Sequence, residues 1–211
     1  MSKQNTKKIS NKVLIIGVLV ILLGLSFWSY HHAKRVVSTL PSPELLPGIQ
    51  LGTAPWDAET QNLRARLNAI HLPALSAEGS ALHLHQHLDI YIDGKSVPVP
   101  SGIGVNQSVG FISDIHTHDK TGVIHVESPR VQTFTLGQFF DIWGVEFTDR
   151  SIGGYTTNNE KTLKVFVNGK QYIGDPREIP LEAHQEIVVV YGLDTDMPQP
   201  IPQSYQFTSG L

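Results

Sequence analysis

Six histidines of this 211-residue chain fall in two short runs, and the chain has no cysteine. The first run is His83-Leu84-His85-Gln86-His87, and the second is His116-Thr117-His118 with His125 close behind. On an extended strand side chains alternate between faces, so an H-x-H pair presents both imidazoles on one side. Imidazole is the commonest protein metal ligand, and two rings on one face can serve a single ion. The chemistry this pattern suits is coordination of a metal ion.

Turn chemistry predicts how the rings would meet. Asp119-Lys120-Thr121-Gly122 is a β-turn sequence with Gly last, flanked by Phe111 to His118 and Val123 to Glu127. Closed symmetrically, that hairpin sets His116 opposite His125, with directly opposed Cβ atoms about 4.5–5.5 Å apart. His118 is then a diagonal neighbour, and Asp114 opposes Glu127 on the same face. The expected ligands are His85, His87, His116, His118 and His125. His83 ranks lower, because it lies some 13 Å along the strand from His87 at about 3.3 Å per residue. His184 reads as structural or solvated, and His31 and His32 as interfacial. An all-nitrogen set suits a divalent transition metal, Cu(II) or Zn(II), with Ni(II) also compatible. A soft copper(I) site is disfavoured, since Met197 is the one sulfur after residue 36.

The elements that must carry these rings follow from periodicity. From Ala81 the period is two: Leu82, Leu84, Leu88, Ile90 and Ile92 share one face with Gln86, opposite His83, His85, His87, Asp89, Tyr91 and Asp93. Asp93-Gly94 signals a type I′ hairpin. The segment Leu163 to Lys170 repeats the pattern of Leu88 to Lys95, with Asn168-Gly169 at the turn. Asp57 to Ile70 reads as a helix, Arg64 and Arg66 facing solvent and Pro73 stopping it. Thr135 and Gln138 form a capping box for a second helix, stapled by Phe134 and Phe139 and ended by Gly144. Its Phe139, Phe140, Ile142 and Trp143 exceed one face, so this helix is a buried one. Glu186 to Tyr191 is a last strand, and the tail from Asp194, with Pro198, Pro200 and Pro202, should be loosely ordered. The expected class is α+β, mainly β: antiparallel hairpins forming a sheet or small sandwich with one or two packed helices, preceded by one N-terminal transmembrane helix.

Residues 13–30 form an apolar run without a formal charge behind Lys3, Lys7, Lys8 and Lys12. At 1.5 Å per residue the run reaches about 27 Å, close to a hydrocarbon core of about 30 Å. The leading lysines favour a cytoplasmic N-terminus, and no small-x-small cleavage site follows. The expected organisation is a basic cytoplasmic tail at 1–12, a signal anchor in the lipid bilayer at 13–30 and a Pro/Gly-rich tether at 31–55. An extracytoplasmic histidine-rich domain at 56–193 and a Pro-rich tail at 194–211 complete it. Residues 36–211 hold ten Lys and Arg against 19 Asp and Glu, a net charge of −9. So acidic a domain is a poor partner for nucleic acid or anionic lipid and a suitable one for cations. Without disulfides the domain must depend on a hydrophobic core.

Three stretches are similar to a group of uncharacterised, exported or membrane-anchored bacterial proteins. They are Pro73 to Asp89, Ile115-His116-Thr117-His118-Asp119-Lys120-Thr121-Gly122-Val123-Ile124-His125-Val126-Glu127-Ser128, and Phe134 to Gly144. The resemblance covers residues from about 60 to 192 and implies the domain limits. It brings no established activity. The function expected from the residues themselves is metal binding at the outer face of a membrane. A metal-dependent enzyme with a three-histidine site, Asp119 or Glu127 accepting protons, is the alternative, and a non-catalytic envelope interaction module is a third.

Overall fold

The structure, a computed structural model, describes residues 40–211. The expected basic tail, membrane anchor and first part of the tether lie outside the described residues. Among the described residues no helix is long and apolar enough to cross a membrane. The chain there is mainly β with two α-helices, the class expected from its periodicities.

The central element is β1 (Leu82–Ile92), whose 11 residues keep the period of two along its whole length. One edge of β1 pairs first with β6 (Val123–Ser128) and then, past His87, with β2 (Lys95–Val97). Its other edge pairs with β11 (Glu186–Gly192) from His87 onward. Short β5 (Ile115–His116) lies outside β6, while β9 (Thr162–Val167) and β10 (Lys170–Gln171) continue the sheet beyond β11. Two further two-stranded pairs, Val105–Asn106 with Phe111–Ile112 and Ser151–Ile152 with Tyr155–Thr156, are β3–β4 and β7–β8. Both predicted hairpins close as expected, with Asp93 and Gly94 at φ 50 and 74 and Asn168 and Gly169 at φ 50 and 77. The sheet is nevertheless mixed. β11 runs parallel to β1, because the chain crosses the sheet before forming it, and no local turn signal reports such a pairing.

One face of this sheet is the core. Leu88, Ile90, Ile124, Val126, Ile187 and Val189 are buried there under α1 (Leu63–Ala69) and α2 (Leu136–Trp143). α2 carries the predicted capping box: Gln138 N–H donates to Thr135 Oγ1 at 3.4 Å and Thr135 N–H to Gln138 Oε1 at 3.0 Å. Gly144 ends the helix in the left-handed region at φ 82. Phe139, Phe140, Ile142 and Trp143 are fully buried, which accounts for the all-round apolarity of that segment.

α1 is shorter than expected because Asp57 to Glu59 serve other elements. The Asp57 carbonyl accepts from Trp143 Nε1 at 3.1 Å, and the Glu59 carboxylate takes the Asn62 N–H. Arg66 is not solvated but fully buried. It pairs with Glu59 and donates to the carbonyls of Pro47 and Ile142, both at 3.0 Å, so its charge has partners inside although Nε makes no hydrogen bond. Arg64 lies 4.2 Å over the Phe111 ring.

The opposite face carries the histidines at one end and a small apolar cluster of Phe166, Val188 and Val190 at the other. The C-terminal segment, expected to be loose, lies across that cluster. Met197 and Ile201 pack on it, and Tyr205 stacks on His87 with ring centroids 3.9 Å apart. Prolines kept the segment from regular structure but not from packing.

Candidate metal centre

Register places the rings. In the β1–β6 pair His83 faces Glu127, His85 faces His125 and His87 faces Val123. In the β5–β6 pair His116 faces His125, as the hairpin predicts. β5 then ends earlier than a symmetric hairpin would, since the Thr117 N–H turns to the Ile103 carbonyl at 3.1 Å. His118 still lies beside His116, with Nε2 atoms 3.2 Å apart. Three adjacent strands thus present His83, His85, His116, His125 and Glu127 together, and His118, just past the end of β5, joins them.

The first donor set is His116, His118, His125 and Glu127, each offering one ligand atom within 4.8 Å of the others. His116 Nδ1 lies 3.1 Å from the Ser113 carbonyl. As the neutral ring it donates there, which fixes the tautomer and aims the Nε2 lone pair at His118, the arrangement found around metal-bound histidines. Two nitrogens bound about 2.05 Å from one tetrahedral ion would be about 3.3 Å apart, close to the spacing between His116 and His118. His125 stacks parallel to His116 at 5.5 Å and meets His118 edge-on at 4.5 Å. Its Nδ1 is buried and makes no hydrogen bond, although Glu127 Oε1 is 3.4 Å away. A buried ring nitrogen without a partner costs free energy unless something accepts its lone pair or proton. A cation in this pocket would satisfy it, so the donor set fits a metal ion.

Electrostatics keep these rings ready to bind. Burial, followed by the neighbouring His118, pushes His116 down to about 4. Burial and the rings of His118, His85 and His116 push His125 down to about 3. Burial also lowers His85, with help from His83. Neutral imidazole is the ligand form. Glu127 is raised by burial and by the nearby Glu78 carboxylate, a crowding of negative charge that a cation relieves.

The second donor set is His83, His85 and Glu127. The Nε2 atoms of His83 and His85 are 3.2 Å apart, and His83 Nε2 is 3.1 Å from Glu127 Oε1. His85 also meets His125 edge-on at 4.6 Å. A cavity of about 320 Å³ opens beside it, lined by His83, His85, His184 and Leu211 among others.

His87 lies apart from both sets. Its Nδ1 is 2.9 Å from Glu186 Oε2 and its Nε2 is 2.8 Å from the Thr121 carbonyl. Burial opposes the charged ring, yet the hydrogen bond and charge of Glu186 win and raise it. An imidazolium donating from both nitrogens has no lone pair for a metal. Glu186 and Asp89 complete a third group of potential ligands around it, but the ring is better suited to tying the 119–122 turn to β11. His83, ranked lower for its distance along the strand, joins a donor set through its cross-strand neighbour Glu127, while His87 falls in a separate group with Asp89 and Glu186.

Asp119 binds the N–H and hydroxyl of its own turn residue, Thr121. His184 contacts Phe207 and the Leu211 carbonyl, while its backbone N–H donates to the His85 carbonyl at 2.6 Å. Glu78 carried no sequence signal. Its carboxylate reaches within 3.4 Å of His118 Nε2 because the following Gly79 runs against the end of β6, where a Cβ would sit 2.0 Å from the Ser128 carbonyl carbon.

Comparison of the chain with family models, curated proteins and solved structures finds no match.

Proposed function

We propose that this chain binds a divalent transition metal ion, Cu(II) or Zn(II), at the outer face of a membrane to which residues 13–30 anchor it. The observation that carries the metal reading is the convergence of His116, His118, His125 and Glu127, with the buried His125 Nδ1 left without a hydrogen bond. Nitrogen-rich donors with one carboxylate match the preferences of these two ions better than those of magnesium or calcium. The anchoring rests on the lysine-flanked apolar run, and the acidic charge after it suits a cation-binding role.

The test is elemental analysis and titration calorimetry on the full chain, purified without a histidine tag. Tight uptake of Zn(II) or Cu(II) is expected, and loss of most of it in His116→Ala and His125→Ala. A protein that takes up neither ion overturns the reading. Retention of residues 3–12 in membrane-bound protein, read by mass spectrometry, tests the anchor; an N-terminus near residue 30 would refute it.

A metal-dependent enzyme is the second reading. It is favoured by the rim of the site, where the His118 side chain is 47% exposed and leaves one side open to solvent or substrate.

A further inference from the structure

We propose that the face holds two metal ions in adjacent lobes, with the Glu127 carboxylate bridging them; this rests on the metal-binding reading above. The carboxylate is 8% exposed and is shared by both donor sets. Oε2 is 3.8 Å from His116 Nε2, within the first donor set. Oε1 is 3.1 Å from His83 Nε2, within the second, and 3.4 Å from His125 Nδ1, so Glu127 belongs to both donor sets. His83 and His85 repeat the 3.2 Å Nε2 spacing seen between His116 and His118. Each pair therefore has the separation of two ligands on one tetrahedral ion.

A single ion cannot take all of these donors. β1 and β5 lie on opposite sides of β6, which sets their backbones about 9–10 Å apart. Rings from both can approach one another, but metal–nitrogen bonds of about 2.0–2.1 Å do not let His83 and His116 share one centre along with the three rings between. Five imidazoles and a carboxylate also exceed a four-coordinate ion. Divided into two lobes, they give three nitrogens plus a carboxylate oxygen on one side. The other side has two nitrogens plus the second oxygen. Bridged ions in such centres lie about 3.5–4 Å apart.

The lobes differ in exposure. The first contains the fully buried His116 side chain, whereas the His83 side chain in the second is 55% exposed. The first lobe should fill first, and the second should exchange more readily with solvent ions. A single carboxylate spanning both couples them, since an ion in one lobe fixes the oxygen that the other needs.

Equilibrium dialysis of the full chain against Zn(II) alone, followed by elemental analysis, tests this. Two ions per chain are expected in the wild type, and one in the His83→Gln/His85→Gln double variant. One ion in the wild type overturns the two-ion proposal and leaves the metal-binding reading standing. No ion in the wild type overturns both. Loss of all binding in the double variant, if circular dichroism shows it folded, means one shared site and also overturns the proposal. Electron paramagnetic resonance of the wild type loaded with two equivalents of Cu(II) is independent of any variant. A spin-coupled signal that Glu127→Gln removes is expected, whereas the sum of two isolated Cu(II) spectra would sink the bridge.

Discussion

At the scale of single residues, the difference between His125 and His87 is one of partners, not of sequence context. Both sit in strands, yet one has a buried nitrogen without a hydrogen bond and the other uses both nitrogens. His125→Ala should therefore lower Zn(II) affinity at least 100-fold by calorimetry, while His87→Ala should reduce stability and leave affinity within a few fold. His184→Ala should alter neither much. The same contrast governs pH. His116 and His125 titrate near 4 and 3 in the folded chain against about 6.5 unfolded. The unfolded chain then holds more protons in that window, so their stabilising contribution is present above about pH 6.5 and lost as pH falls towards 4 and 3. His87 has the opposite sign: its raised value stabilises below about pH 6.5, and that is lost as pH rises through the folded value. The raised carboxyls of Asp114, Glu127, Asp141 and Glu186 act in the same direction as His87. In metal-free protein, His116→Ala should therefore reduce whatever loss of melting temperature occurs between about pH 7 and pH 4.5, and added Zn(II) should raise the midpoint most at the higher pH. Because His116 and His125 are already neutral well below pH 6.5, proton competition at these two rings should set in at lower pH than for free imidazole.

At the scale of elements, the short turn from Asp119 to Gly122 connects β5 to β6 and keeps His87 in place. Gly122 has φ +89, and a Cβ there would lie 2.7 Å from the Leu88 carbonyl and 2.8 Å from His87 Nε2. Gly122→Ala should cost on the order of 1–3 kcal/mol in denaturant melts, and it should weaken metal binding as the turn shifts. Trp143→Ala in α2 should cost about 3–5 kcal/mol without touching affinity, consistent with its complete burial. These elements were legible in the sequence because their signals are local. Thr135 and Gln138 mark a helix start, Asp93-Gly94 and Asn168-Gly169 mark hairpins, and the 119–122 turn gives the His116–His125 register. What escaped depends on residues distant in the chain. Arg66 reads as a surface residue until Glu59 and the Ile142 carbonyl surround it, and β11 is parallel to β1 because of a crossover. Glu78 joins the site only through a loop crossing the end of β6, and His83 comes beside Glu127 only through cross-strand pairing.

At the scale of the whole described unit, one sheet separates two environments. Helices cover one face, and the other divides between the histidines and the apolar patch beneath the C-terminal segment. Removing residues 198–211 should expose Val188, Val190 and Phe166 and uncover His87. A lower melting temperature and increased binding of a hydrophobic dye would show it, and unchanged values would mean that the segment contributes nothing. The charge of −9 after residue 36 predicts negligible binding to duplex DNA or anionic vesicles at physiological salt. Tight, salt-sensitive binding to either would reveal a basic surface that the total charge conceals.

β6 has a consequence for how such a chain can diverge. Along six residues it alternates Ile124 and Val126 into the core with His125 and Glu127 toward the ligand face. Substitutions can alter either face independently, since no side chain serves both. An insertion or deletion of one residue cannot, because a strand moved by one position exchanges its faces. It would drive a carboxylate and an imidazole under the helices and turn isoleucine toward the histidine face. Descendants of this chain are thus free to change the histidine face, while the length of β6 is held fixed by the core it helps to build.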